Sequence, residues 1–350
     1  MNFSSPLSIL LHLAAFSFFI SLAVSGFMIS AGFIDNPVSR SAHKEATPTG
    51  GGVGIVAGSG AGLLALSMFY PYFGNQSQLG LLAALVFLGA SLGLIDDIII
   101  VNAKLKFAII TGLSCAAVLI IGAPLSLPTA HTSIPLPAWF GFCGGVLWVF
   151  CIVNCVNFMD GANGQMGKFM SIAFIGMGLV SLMSSAITSA LLAFIMAGAL
   201  LGFLPYNLKT KALIFSGDVG SLTVGFVYSI CALLLAAHKP DFLYVGPLLV
   251  LPFITDVILT LFVRSCAKKN LFEAHKDHIY QRLIRAGSSH IEVTMTYSIS
   301  AILMCVITIA GVHYGLINSI FFFGVWVCVL SIIYAVLHKW LANAVDDESG

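Results

Sequence analysis

Charged residues are scarce in this chain of 350 residues, because Asp, Glu, Lys and Arg together make up only 8% while hydrophobic residues make up 59%. An ordinary soluble domain carries roughly 25% charged residues, so the composition excludes a soluble globular protein. Close cysteine pairs are also lacking, since the eight cysteines stand singly and mostly inside apolar runs. This spacing excludes a disulfide framework or a cysteine zinc site and favours free thiols that pack as small apolar side chains.

Internal repeats, polar linkers and a strict alternation of apolar and polar residues are absent as well. The apolar runs are continuous and about 20 residues long, which is the length of a membrane-spanning helix. We therefore predict an all-α polytopic membrane protein with about eleven transmembrane helices, forming a single domain over residues 1–350. The first run is too long for a cleaved signal sequence, so we expect a retained span. The predicted spans cover residues 7–33, 51–70, 79–98, 106–123, 138–155, 169–186, 188–205, 219–237, 243–263, 293–312 and 317–338.

Basic residues are confined almost entirely to one side of this predicted topology. Every Lys and Arg except Lys239 falls at or near the loops that begin near residues 35, 97, 156, 206 and 264, or in the C-terminal tail. The positive-inside rule assigns that side to the cytoplasm, with the N-terminus outside and the C-terminus cytoplasmic. Nearly all acidic residues lie on the same side, although acids contribute little to orientation. We interpret this polar face as the functional site, the alternative being acids that only cap helix ends.

The first two polar segments of this face combine basic residues, glycines and an acidic pair. Residues 35–52 form a basic loop that ends in three glycines, where backbone N–H groups can approach an anion with Arg40 and His43 nearby. Asp96 and Asp97 end the third predicted span. Two adjacent carboxylates are costly to desolvate at the edge of an apolar run, so their presence suggests a cation or a proton between them.

The third and fourth segments supply amides and a further acid. Asn157 follows Asn154 by three residues, so both carboxamides share one helical face, and the Asp160-Gly and Asn163-Gly steps predict tight turns around a polar ligand. Asp218 stands between glycines where the eighth span is predicted to begin. An Asp at that place can bind a divalent cation while exposed amides contact phosphate oxygens, as a nucleotide diphosphate with magnesium requires; the alternative is an ordinary N-cap.

The fifth segment is a basic loop in which His275, His278 and Arg282 occupy positions i, i+3 and i+7. These residues share one face if the segment is helical. A His pair at this spacing can bind zinc, but no HExxH pattern or third soft ligand accompanies it, and the neighbouring bases favour an anion such as phosphate. A solvated basic loop is the remaining alternative.

Taken together and in this order, the five segments resemble the polyprenyl-phosphate N-acetylhexosamine-1-phosphate transferases of glycosyltransferase family 4. That family includes the phospho-MurNAc-pentapeptide translocase and the enzymes that initiate O-antigen and enterobacterial common antigen synthesis. The resemblance spans residues 35–283 and depends on five motifs: DxPxxRxxH with TPTGGG, the Asp-Asp pair, NxxNxxDGxxG, GDxGS and HxxHxYQR.

The resemblance implies an enzyme that transfers an N-acetylamino-sugar 1-phosphate from a UDP-sugar to undecaprenyl or another polyprenyl phosphate and releases UMP. It implies Mg²⁺, which Mn²⁺ can replace, and a bacterial inner membrane location with the active site on the cytoplasmic side. A homodimer is compatible with it, and no nucleic-acid partner is expected. The HxxHxYQR motif is closer to enzymes that start O-antigen or capsule chains with GlcNAc, QuiNAc or FucNAc than to those that use a muramyl-peptide donor.

The resemblance also implies roles for individual residues. Asn163 stands where many bacterial members carry Asp, so an amide rather than a carboxylate is available there. The implied roles are a catalytic pair (Asp96, Asp97), metal ligands (Asp218, Asn157), nucleotide binding (Asp160, Asn163, Asn207, Phe215), diphosphate binding (His275, His278, Arg282) and less specific contributions (Arg40, His43, Asp256, Arg264).

The implied reaction agrees with the residue types. Attack of a lipid phosphate on a sugar nucleotide gathers several negative charges, which a metal and basic side chains must offset. A carboxylate could take the proton or attack first to form a phospho-aspartyl enzyme, and both routes remain open. Other readings are phospho-MurNAc-pentapeptide transfer, an intramembrane aspartyl protease, which needs facing acids in mid-bilayer, and a transporter, which needs polar breaks at the midplane of repeated halves.

Overall fold

The computed structural model describes residues 6–31, 34–35, 47–72, 75–99, 101–271, 273 and 275–347. Within these residues, ten helices are long and apolar enough to cross a membrane, and a bent helix pair adds an eleventh span if it is counted as one. The predicted helical, multi-pass architecture is therefore confirmed, while the orientation of the termini stays a prediction. The helices are α1 (Pro6–Ala31), α2 (Gly51–Phe69), α3 (Gln76–Ile99), α4 (Ala103–Ile121), α5 (Ala138–Phe158), α6 (Gln165–Met183), α7 (Ile187–Asn207), α8 (Gly217–His238), α9 (Val245–Leu249), α10 (Leu251–Cys266), α11 (Ile279–Arg285), α12 (His290–His313) and α13 (Ile320–Asp347).

The ninth predicted span, residues 243–263, is wrong as a single straight helix. The chain forms a short 3-10 turn at Pro240–Phe242, then α9, and bends by 71° at Val250 before α10 begins. Pro252 lies in the first turn of α10, where its missing N–H costs no helical hydrogen bond. A hydropathy pattern cannot reveal this break, because both halves are apolar.

Strands were not expected, and four short ones nevertheless lie in the described parts of the connecting segments. Ile34–Asp35 (β1) pairs with Thr47–Pro48 (β2), and Ser126–Pro128 (β3) pairs with Ser133–Pro135 (β4), both antiparallel. A membrane-spanning strand needs about 9–11 residues, so neither sheet crosses the bilayer. Within the described residues, the all-α prediction therefore holds for the spans and fails for these two loops.

Helix α8 lies at the centre of the bundle, and all residues of its 18-residue apolar stretch are buried. In α13 only 6% of the corresponding stretch is buried, so this helix faces outward. α8 packs against α2, α3, α5 and α7. Glycines allow the closest of these contacts, since a Cβ at Gly93 would collide with the Asp218 backbone and one at Gly52 with the Gly220 backbone. Small residues at such crossings let helices in a membrane approach each other closely. The start of α8 is thereby fixed against the ends of its neighbours.

Candidate active site

Four helix ends meet at the start of α8 and form what we call the acidic cluster: Asp96, Lys106, Asn157 and Asp218. The Lys106 ammonium lies 2.8 Å from Asp96 Oδ2 and forms a second ion pair with the Asp218 carboxylate. Asn157, in the last turn of α5, donates from Nδ2 to Asp218 Oδ1 over 2.8 Å. Residues that lie more than 100 positions apart in sequence therefore act on one small volume.

Asp97 contacts the backbone of α8 rather than the Lys106 ammonium. Its Oδ1 accepts the backbone N–H of Asp218 over 2.7 Å, and its Oδ2 accepts that of Val219 over 3.2 Å. The carboxylate thus acts as an N-cap supplied by another helix, placed at the positive end of the α8 dipole. Gly217 makes this possible, because it has φ +67° and a Cβ there would collide with the Asp97 carboxylate. Asp97 therefore holds the turn that carries Asp218.

Asp160 lies in the loop between α5 and α6 and faces the same turn. Its carboxylate accepts a hydrogen bond from Ser216 Oγ. Burial, reinforced by the negative charges of Asp218 and Asp97, raises the pKa of Asp160 to about 7. At neutral pH this carboxyl group therefore holds a proton far more often than an exposed Asp does.

The described part of the glycine-rich segment packs directly on the GDxGS turn. Gly51 and Gly52 donate their N–H groups to the carbonyls of Phe215 and Ser216 over 2.8 and 2.9 Å, and Phe215 donates its N–H to Pro48 O over 2.9 Å. The first and fourth sequence segments are thus joined through the main chain. Arg40 and His43 lie outside the described residues.

Asn163 and Asn207 bind main chain in this structure. Asn163 Nδ2 donates to the carbonyls of Lys209 and Thr210 over 2.9 and 3.1 Å. Asn207 accepts the Gly164 N–H over 2.7 Å and donates to the Ile214 carbonyl over 2.8 Å. Both side chains are buried, so they fix the loop after α5 to the loop after α7. Their predicted nucleotide contacts stay a prediction.

Asp256, inside α10, holds the segment that contains His275 and His278, which we call the histidine loop. Its carboxylate accepts the N–H of Ile279 over 3.0 Å and the hydroxyl of Tyr297 over 2.6 Å, and it lies 3.4 Å from His278 Nδ1. Asp256 is therefore the cap of α11 and the anchor of His278. Asp256 is 3% exposed, and both of its carboxylate oxygens contact protein groups. It is therefore not the unpaired acid that an intramembrane aspartyl protease would need.

The histidines adjoin the acidic cluster through Phe158, the residue after Asn157. The His278 ring stacks on Phe158 with 6.0 Å between centroids, and the His275 ring lies 5.0 Å from that of His278. Burial and the charges of His278 and Arg264 lower the pKa of His275 to about 4. His275 is thus neutral at physiological pH and acts as a hydrogen-bonding ring rather than a cation.

Arg264 and Arg282 point into a separate cavity. Arg264 pairs with Asp277 and donates from Nη2 to the Asn270 carbonyl over 2.8 Å, whereas Arg282 donates from Nη2 to the His338 carbonyl of α13 over 3.2 Å. The structure therefore places the predicted diphosphate ligands in two locations, with the histidines beside the acidic cluster and Arg282 away from it.

The residues of the acidic cluster fit Mg²⁺. The described part of the chain has no group of three His, Cys, Asp or Glu side chains arranged around one metal position. Mg²⁺, however, is usually bound by one or two carboxylates together with waters and substrate phosphates. Asp96 and Asp218 are 13% and 28% exposed, and Asn157 adds an amide. Three carboxylates, counting Asp97, against the single ammonium of Lys106 leave excess negative charge that favours a cation.

Lys106 belongs to the acidic cluster, and sequence reasoning did not single it out. It is the first residue of a predicted span and follows Lys104 by two residues, so the positive-inside rule readily explains a basic residue there. Its position could have indicated this contact, because Lys106 follows Asp96 by ten residues across the short turn between α3 and α4. Two antiparallel neighbours joined in this way bring such residues together at one end.

Comparison with known proteins agrees with this geometry. The family model described as Glycosyl transferase family 4 matches residues 78–236, which include the whole acidic cluster. A probable undecaprenyl-phosphate N-acetylglucosaminyl 1-phosphate transferase of Bacillus subtilis is 30% identical over 290 residues, covering 79% of this chain and 78% of that protein.

Two further relatives extend the comparison. An undecaprenyl-phosphate alpha-N-acetylglucosaminyl 1-phosphate transferase of Thermotoga maritima is 28% identical over 94% of this chain and 98% of its own length. A phospho-N-acetylmuramoyl-pentapeptide-transferase of Listeria innocua is 28% identical over 73% and 80%, respectively. Since the Bacillus relative matches most of both chains and the family model covers the helices that build the acidic cluster, this multi-pass membrane protein belongs to glycosyl transferase family 4.

Proposed function

We propose that the protein transfers an N-acetylamino-sugar 1-phosphate from a UDP-sugar to undecaprenyl or another polyprenyl phosphate. An oxygen of the lipid phosphate forms a bond to the β-phosphorus of the donor. The bond between that phosphorus and the oxygen bridging to the α-phosphate breaks, and UMP leaves. The product would start a lipid-linked surface glycan such as O-antigen or capsule.

One observation carries this proposal: Lys106 joins Asp96 and Asp218 at the point where four helix ends meet. A site at helix ends is accessible to a water-soluble nucleotide and to a lipid phosphate at the membrane surface. Fixed positive charge close to carboxylates is the arrangement that phosphoryl transfer requires, because charge spreads over the equatorial oxygens in the transition state.

The residues divide the work as follows in the proposal. Asp218 and the Asn157 carboxamide would hold Mg²⁺, which when bound offsets the charge of the donor diphosphate. Lys106 orients a phosphate oxygen, and Asp96 accepts the proton of the attacking lipid phosphate. Asp97 keeps Asp218 in place through the first turn of α8.

The nucleotide and the diphosphate are proposed to extend from this cluster in two directions. Asp160 and the main chain around Phe215 lie beside the GDxGS turn, where we place the nucleoside, with Asn163 and Asn207 holding the loops that frame it. His275 and His278 lie beyond Phe158, where we place the diphosphate and the sugar. In this proposal the site faces the cytoplasm of a bacterial inner membrane, on the side that holds nearly all Lys and Arg residues.

A donor panel tests the proposal. Purified protein with Mg²⁺ and polyprenyl phosphate would be given UDP-GlcNAc, UDP-QuiNAc, UDP-FucNAc or UDP-MurNAc-pentapeptide, and UMP would be measured with the lipid product. We expect UMP release from an amino-sugar donor, none without the lipid and none with EDTA. Absence of UMP with all four donors would refute the transferase assignment.

Transfer of phospho-MurNAc-pentapeptide is the second candidate, because the Listeria protein of that name matches 73% of this chain. The HxxHxYQR loop argues against it, since that short loop resembles enzymes that use smaller amino sugars. In the same panel, turnover confined to the pentapeptide donor would favour this candidate over the first.

A further inference from the structure

A polar cavity of about 300 Å³ lies between α10, α11 and α13, apart from the acidic cluster. No residue of the acidic cluster lines it. Its polar lining consists of Thr260, Arg264, Lys269, Asp277, Arg282, Tyr334 and His338. We call it the arginine cavity.

The lining carries excess positive charge. Three cations, Arg264, Lys269 and Arg282, face one carboxylate, Asp277, which pairs with the first two. Although burial raises its pKa, the hydrogen bond from Arg264 keeps the pKa of Asp277 below its ordinary value, so the acid is ionised and already neutralised. Among the described residues, no carboxylate forms an ion pair with Arg282, which instead donates to the carbonyl oxygen of His338.

Arg264 shows the same deficit of acceptors at a buried position. Its side chain is 7% exposed, and its Nε is buried without a hydrogen-bond partner among the described residues. A buried donor that lacks an acceptor is destabilising, above all when it carries a charge, so an acceptor in the cavity would be stabilising. Bidentate guanidinium groups match the oxygens of phosphate in geometry and charge.

Exposed apolar side chains flank the arginine cavity. Val263, which lines it, is 38% exposed, and the adjacent Phe262 is 63% exposed. On α13, Trp340 is 57% exposed two residues beyond His338. Exposed apolar side chains next to a Trp are typical of the level at which lipid headgroups lie.

We propose that the arginine cavity binds the phosphate group of an anionic membrane lipid. Arg264, Lys269 and Arg282 contact the phosphate oxygens, while the acyl chains leave past Val263 between α10 and α13. The site differs from the donor site of the proposed function and does not depend on that function being correct.

A hydrogen-bonded chain connects this cavity to the histidine loop. The Tyr334 hydroxyl oxygen lies 2.9 Å from Thr260 Oγ1, and the Thr260 hydroxyl in turn donates to Asp256 Oδ1 over 3.2 Å. Asp256 caps α11, which carries Arg282, and contacts His278. Lipid binding would therefore restrict the motion of the loop that carries His275 and His278, which we place at the diphosphate.

Binding can be measured without turnover. Full-length protein, delipidated in neutral detergent, would be titrated by native mass spectrometry with phosphatidylglycerol, phosphatidic acid and, as a zwitterionic control, phosphatidylcholine. Inorganic phosphate and UDP would be added as competitors. We expect the two anionic lipids to bind at least about tenfold more tightly than phosphatidylcholine, because each charge-assisted contact contributes on that order.

Matched variants locate the site. Arg282→Gln is expected to lose the anionic preference, and Arg285→Gln, on the same short helix but exposed and outside the cavity, is expected to keep it. Lys269→Gln supplies a second test in which folding is not at risk, since Lys269 is 56% exposed. Size exclusion and thermal unfolding would confirm that each variant is folded.

Several results would overturn the inference. They are equal binding of phosphatidylcholine, equal losses in Arg282→Gln and Arg285→Gln, an unchanged anionic preference in folded Lys269→Gln and Arg282→Gln proteins, or displacement of the lipid by UDP at micromolar concentration. Displacement by inorganic phosphate at similar concentration would show an anion site without lipid selectivity and would also refute it.

Discussion

At the scale of single residues, Lys106 is the group on which the acidic cluster depends. It is the single cation between Asp96 and Asp218, and its side chain is 12% exposed. Removing it would leave two neighbouring carboxylates that repel each other unless a metal ion or a proton lies between them. Loss of the Lys106 ammonium should therefore slow transfer but strengthen metal binding.

We predict that Lys106→Gln lowers kcat for transfer by at least about 100-fold, as loss of one transition-state donor typically does. The same variant should bind Mn²⁺, used as a spectroscopic probe, more tightly than the parent protein, because the ammonium no longer repels the metal. Electron paramagnetic resonance titration measures this affinity. Lys104→Gln, an exposed lysine half a turn earlier on α4, is the control and should match the parent in both measurements. Weaker Mn²⁺ binding in Lys106→Gln would contradict the proposed metal position.

Asp160 gives a pH-dependent prediction at the same scale. Its pKa is raised in the folded state from 3.8 to about 7, so the folded protein holds a proton that the unfolded chain releases. The corresponding stability is complete below about pH 4 and is lost as the pH rises through about 7.

We therefore expect Asp160→Asn, which cannot ionise, to unfold at a higher temperature than the parent at about pH 8, with the difference shrinking towards about pH 5. Thermal unfolding in detergent without Mg²⁺ measures this. A difference that stays constant with pH would show that the Asp160 carboxyl group has an ordinary pKa.

At the scale of elements, the position of α8 depends on an acid from α3. Because both Asp97 oxygens accept N–H groups of the first turn of α8, Asp97→Ala should cost about 1 kcal/mol in free energy of unfolding, the usual cost of losing a cap. Asp97→Asn keeps an acceptor oxygen and should cost less.

Transfer activity separates positioning from direct chemistry at Asp97. If Asp97 acts by positioning α8, the Asp97→Asn variant should retain a clearly higher kcat than the Asp97→Ala variant. If the Asp97 carboxylate takes part in the reaction directly, kcat should fall equally in both variants. Thr129→Ala is the control, because it removes hydrogen bonds in the loop between β3 and β4, which joins the ends of α4 and α5 away from the acidic cluster. It should lower stability slightly with little change in kcat. Equal kcat losses in the two Asp97 variants, at unchanged stability, would refute the positioning role.

At the scale of the whole molecule, the orientation of the protein in the membrane is a separate prediction. With Lys239 as the exception, Lys and Arg residues belong to the side that carries the acidic cluster, so that side should be cytoplasmic. A green fluorescent protein fused after residue 350 should fluoresce, and alkaline phosphatase at the same place should be inactive. The reverse pattern would place the site outside the cytoplasm.

Sequence alone determined the number and approximate position of most spans, because each must bury about 20 apolar residues whatever its neighbours are. It also identified the polar segments that meet, since a membrane confines costly charged groups to its edges. The break at Val250 was not determined, because hydropathy is the same on both sides of a bend. The helix ends were also misjudged where polar residues continue a helix, as at Asn157 in α5.

Only the tertiary structure decided which polar residues act on one another. The carboxylates of Asp96 and Asp97 are adjacent in sequence, yet one pairs with Lys106 and the other caps α8, because neighbouring residues on a helix point about 100° apart. His278 and Arg282 share a motif but make different contacts, since His278 stacks on Phe158 whereas Arg282 lines the arginine cavity and binds the His338 carbonyl. Such assignments depend on helix crossings set by glycine contacts far along the chain, and no local pattern of residues encodes them.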